Sequence, residues 1–266
     1  MKTNYPKKSL GQNFLKDKNI IDIIVNSADI NKNDIILEVG PGTGNLTERI
    51  LSKSPKKIFA IEKDKFLAKK LHEKFNEKII LINEDILKID EKKYSNAPMI
   101  VFGNLPYNIS TQILIKWIRY SNLNNTFKKF ILMFQKEVAE RIIAEVDSKN
   151  YGRLAVLSSW KLKIEKIIDV SPNCFYPIPK VKSTVLLIKP KKEYFNIKNP
   201  KNLEHITNIF FSQRRKMIKK PLKFLFKNYE KVSEDLSLDL NLRPQNLTNV
   251  TYYKICSYYE KLLKQP

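Results

Sequence analysis

Short apolar runs alternate with amphipathic stretches along the first half of the chain. Five runs, at residues 35–37, 57–61, 79–82, 99–102 and 130–133, are almost continuously apolar. Such runs are typical of strands in a parallel sheet that is covered on both faces. The stretches between them, at 46–51, 66–75, 109–118 and 138–146, have the length and apolar spacing of crossover helices. The pattern therefore predicts an α/β fold.

The pattern changes in the second half of the chain. Two runs, 161–170 and 183–189, alternate more strictly between apolar and polar residues, and we expect them to form an antiparallel edge. Beyond residue 190 the sequence predicts helices, at 203–211, 221–229 and 252–263, and no convincing strand. We therefore predict three parts: a flexible basic segment over 1–18, an α/β domain over 19–190 and a helical domain over 191–266.

Charge and composition narrow the class of protein. A net charge of +22 is large for 266 residues, and a field of that sign attracts polyanions, with nucleic acid as the first candidate. Charge alone is ambiguous, because lysines also cover ordinary solvated faces. No apolar stretch approaches the roughly 18 residues that cross a bilayer, and no apolar region follows the basic N-terminus. This predicts that the protein has no membrane partner. With Cys174 and Cys256 as the only cysteines, we also expect no disulfide framework, no metal site and a cytoplasmic location.

Three of the six glycines lie within five residues, at Gly40, Gly42 and Gly44. They follow the first predicted strand and open the first helix, where glycine permits a tight turn and close approach of the backbone to a ligand. Such a loop alone is a weak indicator, since ordinary turns produce it too. Glu38 precedes it, and a carboxylate there would repel a pyrophosphate but attract an ammonium group. The loop therefore favours S-adenosylmethionine over a dinucleotide.

Acidic residues end the next two predicted strands. Glu62 lies about 20 residues beyond the glycines, where a carboxylate can accept hydrogen bonds from ribose hydroxyls. Asp85 ends the third strand, at the edge where open α/β sheets bind ligands. Either residue alone could equally be a helix N-cap or a solvated loop acid. Their order after the glycine loop predicts one ligand crevice.

The fourth predicted strand ends in Asn104-Leu105-Pro106-Tyr107, which contains no charge. The amide oxygen of Asn104 and a strand-end carbonyl, such as that of Leu105, could accept both hydrogens of a nucleobase amine and favour an attack-ready nitrogen. Tyr107 offers a face on which a base can stack after leaving its helix. The alternative is a strand-terminating turn with a buried Asn and a surface Tyr. The position behind a glycine loop favours amine methylation on a flipped purine.

The chain resembles the small-subunit ribosomal RNA adenine dimethyltransferases, the bacterial enzymes whose loss gives kasugamycin resistance. The resemblance covers nearly the whole chain and rests on segments 10–15, 38–44, 103–111, 135–141, 151–154, 179–183 and 211–216. It implies a Rossmann-type class I S-adenosylmethionine-dependent methyltransferase with a small C-terminal all-helical domain. The implied reaction is dimethylation of N6 of two adjacent adenosines in the hairpin near the 3′ end of 16S rRNA, within the immature 30S subunit.

The resemblance also implies roles for individual residues. Contacts to S-adenosylmethionine are implied for Asn13, Leu15, Gly40, Glu62, Asp85 and Asn104, in addition to the loop residues Glu38 and Gly42. The target adenine is held by residues 104–107, and Phe175 stacks on its other face. Phe175 lies in a proline-rich loop that can display an aromatic ring, although the core is the usual place for a phenylalanine. We expect a monomer, because no interface signal is evident.

The segment Gln213-Arg214-Arg215-Lys216 is a second indication of nucleic acid, because its cations could bind phosphates beside the target hairpin. Two alternatives share parts of the pattern. The large-subunit rRNA methyltransferases that confer macrolide resistance have the same glycine loop and a similar Asn-x-Pro motif, but residues 105, 135–141 and 211–216 favour the small-subunit enzyme. The other alternative is a binding protein on the same scaffold, such as an assembly factor or a mitochondrial-type transcription factor. Such a protein would be expected to have a degraded glycine loop or to lack Asn104. In this sequence the glycine loop is intact and Asn104 is present.

Overall fold

The computed structural model describes residues 11–263 and divides them into two compact units. The first unit comprises the residues up to Ala139 together with Lys163–Pro190, and the second comprises Glu140–Leu162 together with the residues from Lys191 onward. Residues 140–162 thus group with the C-terminal helices, whereas the sequence places them in the α/β domain. Of the basic segment expected over 1–18, residues 1–10 lie outside the described residues.

A seven-stranded sheet forms the centre of the first unit. Its strands, in spatial order, are β4 (Ile80–Ile82), β3 (Lys57–Ile61), β2 (Ile35–Val39), β5 (Met99–Asn104), β6 (Phe127–Gln135), β9 (Ser183–Pro190) and β7 (Leu162–Val170). The strands from β4 to β6 pair in parallel, and β9 pairs antiparallel to β6. The prediction of an α/β fold with a parallel sheet and an antiparallel extension is confirmed. Chain order reverses between β2 and β5, which is the position where such sheets bind ligands.

Six helices accompany these strands in the described part of the sequence: α1 (Lys18–Asn26), α2 (Asn45–Leu51), α3 (Lys65–Phe75), α4 (Ser110–Ile118), the single turn α5 (Leu123–Thr126) and α6 (Lys136–Ile142). Aspartates cap the N-termini of two of these helices. Asp17 accepts a hydrogen bond from Ile20 N in α1, and Asp64 accepts one from Phe66 N in α3. Helix α6 ends at Ile142, four residues before the end of the helix predicted over 138–146. Helix α1 was not predicted.

A separate two-stranded ribbon joins β1 (Phe14–Leu15) to β8 (Phe175–Tyr176). Its antiparallel register pairs Phe14 with Tyr176 and Leu15 with Phe175. Directly opposite residues of an antiparallel pair share one face of the ribbon. Leu15 and Phe175 point into the core beneath the ribbon, where both are buried. Phe14 and Tyr176 therefore share the opposite face.

The second unit is helical. It contains α7 (Arg153–Lys161), α8 (Pro200–Ser212), α9 (Lys219–Leu225), α10 (Tyr229–Asp235) and α11 (Asn249–Leu262). The helix predicted over 221–229 ends at Leu225, and the Asn228 side chain then caps a new helix by accepting from Lys231 N. Buried aromatic rings fill the interior, where Tyr252 packs against both Phe210 and Phe211. Tyr151 donates a hydrogen bond to the carbonyl of Leu247.

None of the helices within 11–263 is long and apolar enough to cross a membrane. The same residues contain no cluster of three or more His, Cys, Asp or Glu side chains arranged to hold a metal ion.

Candidate active site

A cleft in the first unit lies at the carboxyl ends of β2 and β5. The register pairs Val39 with Gly103, so Gly40 and Asn104 leave the sheet side by side. The cleft is lined by residues 11–15, 38–43, 45–46, 61–63, Leu67, 84–86 and 104–109. All of the sequence-predicted cofactor residues are in this lining, as are Asn104, Leu105, Pro106 and Tyr107. Residues separated by almost a hundred positions along the chain thus meet at one edge of the sheet.

The glycine loop forms one wall of the cleft. Gly40, Gly42 and Gly44 all have positive φ, at 69°, 60° and 81°, a region that side-chain-bearing residues rarely adopt. A Cβ at Gly40 would meet nothing closer than the Asn104 carbonyl oxygen at 3.9 Å, so the loop leaves open space there. A Cβ at Gly42 would lie 2.8 Å from the Phe14 ring. The loop therefore leaves open space beside Gly40, whereas Gly42 packs tightly against the Phe14 ring.

Two buried carboxyl groups stand behind the loop. Glu62 accepts hydrogen bonds from Gly42 N at 3.1 Å and from Asp64 N at 2.8 Å, which fixes the loop against β3. Burial raises the pKa of Glu62 despite these bonds. Glu38 is 1 % exposed, and its Oε2 atom has no hydrogen-bond partner. Burial raises the pKa of Glu38 from 4.5 to about 7, opposed by the nearby Thr47 hydroxyl and reinforced by repulsion from Glu62.

Asp85 lies at the end of the cleft that is next to strands β3 and β4. Its Oδ1 accepts from Leu87 N at 3.0 Å and so caps a short 3-10 turn, and its Oδ2 accepts from Lys63 Nζ at 2.8 Å. Burial tends to raise the pKa of Asp85, but the bonds from Lys63 and Leu87 hold it below its usual value. The capping alternative and the place in the cleft are thus both observed. Lys63 was not predicted from the sequence.

Asn104 is oriented by one hydrogen bond. Its Nδ2 donates to the carbonyl oxygen of Asn13 at 2.7 Å, which leaves Oδ1 as the acceptor of the amide. Leu105 is 1 % exposed, and its side chain covers Gly103, where a Cβ would lie only 2.7 Å away. Leu105 lies among the residues that line the cleft. The motif thus offers one oriented neutral acceptor, the amide oxygen of Asn104.

Tyr107 completes the motif. Its hydroxyl lies 2.7 Å from Oγ of Ser183, a buried residue at the start of β9. Burial raises the pKa of the Tyr107 hydroxyl, which keeps it neutral. The bond fixes the tip of the side chain, so the ring is held at the cleft while the hydroxyl is engaged.

Residues 11–15 form another wall of the cleft. Two asparagine amides hold this segment, since Asn104 donates to Asn13 O and Asn45 donates to Leu15 O at 2.8 Å. Pairing of β1 with β8 holds it from the other side. Phe14 and Asn45 were missed as site residues. The sequence offered a signal for Phe14, because it lies between Asn13 and Leu15 in the segment 10–15 that carries part of the family resemblance.

A buried carboxylate supports the segment after Asp85. Glu91 is fully buried and receives hydrogen bonds from Lys116 Nζ at 2.9 Å, from Trp117 Nε1 at 2.6 Å and from the Tyr120 hydroxyl. Lys116 Nζ also donates to the carbonyls of Ile86 and Ile89, at 2.6 and 2.5 Å. Ile86 lines the cleft. The ammonium of Lys116, on the helix that begins just after the Asn104 motif, therefore holds a wall of the cleft in place.

Phe175 is the one predicted site residue that does not line the cleft. It is completely buried and packs in the hydrophobic core of the first unit. The reason is its register, because pairing opposite Leu15 turns it toward the interior. Its neighbour Tyr176, on the other face, is 57 % exposed. Contact of Phe175 with a substrate base would require the ring to leave this packing.

The cleft fits a zwitterionic nucleoside cofactor. The unpartnered Glu38 Oε2 is a buried acceptor that an ammonium group would satisfy. The open space at Gly40 admits a ligand against the backbone. Glu62 and Asp85 provide carboxylate oxygens further along the same cleft. These groups match the residues that the sequence predicts for S-adenosylmethionine.

The second unit carries a cationic cluster. The cluster consists of the residues that line one surface pocket, namely Arg215, Lys216, Met217, Lys219, Lys220, Lys223 and Arg243. Arg214, which the sequence groups with Arg215, instead donates to the carbonyls of Ser148 and Lys149 at 3.3 and 2.7 Å. Arg215 and Lys216 are exposed. Of the consecutive cations, Arg214 thus holds the unit together and the next two face solvent.

Comparison with known proteins places these features in one family. The ribosomal RNA small subunit methyltransferase A of Pelagibacter ubique is 55 % identical over 256 residues, which cover 96 % of this chain and 97 % of that protein. The protein of the same name from Ehrlichia canis is 41 % identical over 95 % of this chain and 97 % of its own.

Among solved structures, a dimethyladenosine transferase from Plasmodium falciparum superimposes with a TM-score of 0.79 at 29 % identity, covering 93 % of this chain and 98 % of that one. The 23S rRNA methyltransferase ErmE shares the fold, with a TM-score of 0.67 at 22 % identity over 93 % of this chain and 99 % of its own. The model of the ribosomal RNA adenine dimethylase family matches residues 3–262. The chain belongs to the ribosomal RNA adenine dimethylase family.

Proposed function

We propose that the protein dimethylates N6 of two adjacent adenosines in the hairpin near the 3′ end of 16S rRNA, using S-adenosylmethionine. The observation that carries the proposal is that three features lie together at one edge of the sheet. They are the acceptor oxygen of Asn104, the open glycine loop, and the buried carboxyl group of Glu38, whose Oε2 has no hydrogen-bond partner. Relatives named small subunit methyltransferase A, at 55 % and 41 % identity, support the substrate. The protein acts as a monomer in the cytoplasm on the immature 30S subunit.

One group of cleft residues binds the cofactor, and another binds the target adenine. Glu38 holds an ammonium group, Glu62 and Asp85 hold the nucleoside, Gly40 and Gly42 bring the backbone close, and Asn13 and Leu15 cover the ligand. The bound S-adenosylmethionine supplies an activated methyl group. Asn104 Oδ1 and the Leu105 carbonyl accept the two amine hydrogens of the adenine, and Tyr107 supports the ring. No strong base is needed, since the nitrogen becomes acidic once it has accepted a methyl group.

The proposal is tested with immature small subunits that lack the hairpin modification. They are incubated with the protein and S-adenosylmethionine, and the rRNA nucleosides are analysed by mass spectrometry with mapping of the modified positions. We expect dimethyladenosine at the adjacent hairpin pair. Methylation of large-subunit RNA alone would support the macrolide-resistance type of enzyme instead. Tight particle binding without methylation would support a purely binding role.

The raised pKa of Glu38 predicts a pH-dependent cofactor affinity. Below its pKa of about 7 the carboxyl group carries a proton in the ligand-free protein, and binding an ammonium group must release that proton. Affinity should therefore rise between pH about 6 and about 7.5, until the cofactor's own amino group begins to lose its proton near 8. Isothermal titration calorimetry at several pH values in buffers of different ionisation enthalpy measures both the affinity and the proton release.

Glu38→Gln should bind more weakly and lose this dependence, because the amide does not titrate in this range. The matched control is Glu73→Gln, on the exposed side of α3, which should keep the wild-type profile. A wild-type affinity that is flat across this range would contradict the assigned contact.

A further inference from the structure

The loop over residues 176–182, here called the rim loop, is anchored to the cleft at both ends. It begins at Tyr176, which shares a ribbon face with Phe14, and the Phe14 ring lies against Gly42 in the cleft wall. It ends before Ser183, whose hydroxyl is 2.7 Å from that of Tyr107. Lys136 N also donates to the Lys182 carbonyl at 2.9 Å. The rim loop therefore runs along the side of the cleft where the target motif lies.

The rim loop displays apolar side chains that a solvent-facing loop would ordinarily bury or lack. Tyr176, Ile178 and Val181 are 57, 62 and 43 % exposed. Two exposed lysines, Lys180 and Lys182, interleave with them. Three exposed apolar or aromatic side chains within six residues of one loop make it a candidate interaction site. Alternating cations indicate that the partner is a polyanion with apolar surface.

We propose that the rim loop contacts the unpaired bases beside the target adenosine, with Tyr176 stacking on a base, Ile178 packing beside it, and Lys180 and Lys182 meeting the adjacent phosphates. The proposal rests on the proposed function, since it places the occupant next to a flipped adenine. Extruding a base breaks its stacking, which must be offset by new contacts. Apolar wedges and aromatic faces provide such contacts in nucleic-acid complexes. The family resemblance implies that Phe175 stacks on the target base, whereas the structure buries Phe175 and exposes Tyr176.

The test compares three variants with the wild-type protein on immature small subunits. The Tyr176→Ala/Ile178→Ala double variant should raise KM for the particle about tenfold or more, in line with the usual effect of removing a stacking side chain. Tyr176→Phe should behave like wild type, because the ring and not the hydroxyl carries the contact. Ile80→Ala is the matched control, since Ile80 is 41 % exposed on the edge strand β4 and outside the cleft lining. Affinity for S-adenosylmethionine, measured separately, should be unchanged in all three.

The outcomes separate the two proposals. If the wild-type protein methylates no rRNA, the proposed function fails first. If it methylates the hairpin and the double variant has the wild-type KM, the rim-loop contact is wrong and the function stands. Should the double variant lose thermal stability, Lys180→Ala/Lys182→Ala decides, because losing two phosphate contacts should flatten the salt dependence of particle binding by about two in log–log slope. An unchanged slope would overturn the proposal.

Discussion

Asn104→Ala is expected to lower kcat for methyl transfer by at least about 100-fold, comparable to the loss of one preorganised hydrogen-bonding group from an enzyme site. The side chain offers a single acceptor oriented by the bond from Nδ2 to Asn13 O. Without it, the target amine keeps its lone pair delocalised into the ring. Single-turnover transfer of labelled methyl groups to small subunits measures the effect directly.

The Asn104→Ala result needs two comparisons. Asn125→Ala removes an exposed amide from a short helix that is not part of the cleft lining, and it should leave kcat unchanged. Cofactor affinity of Asn104→Ala should fall less than kcat, since Glu38, Glu62 and Asp85 remain. If kcat stays within a factor of about three of wild type, the amide oxygen of Asn104 does not activate the amine.

Lys116→Met is expected to destabilise the protein by about 3 kcal/mol, because it leaves the buried carboxylate of Glu91 without its counter-charge. The same change removes the donor to the Ile86 and Ile89 carbonyls, so the wall of the cleft after Asp85 loses its support. Cofactor binding should weaken as a result. Chemical denaturation gives the stability change as a shift of the midpoint at a constant slope.

An exposed ion pair provides the contrast to Lys116→Met. Lys69 pairs with Glu73 across one turn of α3, with side chains 78 and 62 % exposed. Lys69→Met should cost less than about 0.5 kcal/mol, as exposed helical pairs do. Equal losses in the two variants would mean that the burial of Glu91 does not determine the cost.

Local patterns were sufficient to predict the parallel sheet and the cleft. Apolar runs with helical stretches between them identify strands that are buried on both faces, and the glycine loop follows the first of these. Glu62, Asp85 and Asn104 end the next three strands, and parallel strands bring those ends to one edge. Their meeting follows from the topology alone. The roles of individual side chains within the cleft stay predictions.

Features that depend on distant contacts were not predictable in the same way. Helix α7 buries Ala155, Val156, Leu157, Ser158 and Trp160 on several sides, so it has no clear amphipathic period from which a helix is recognised. The interior position of Phe175 depends on pairing with Leu15, far away in the sequence. The sequence of the proline-rich loop does not specify which of its two adjacent aromatic residues faces inward. The break between α9 and α10 depends on one capping bond at Asn228.

The pairing of β1 with β8 has a consequence for the order in which the protein matures during its own synthesis. The nascent chain exposes residues 14–15 early, but their partners at 175–176 follow only after nearly all of the first unit has been translated. Domains fold as units when enough of the chain is available. A nascent chain that already carries the glycine loop and Asn104 therefore still lacks the ribbon that covers them. We expect the ability to retain cofactor to appear late in translation, after β8 has left the ribosomal tunnel.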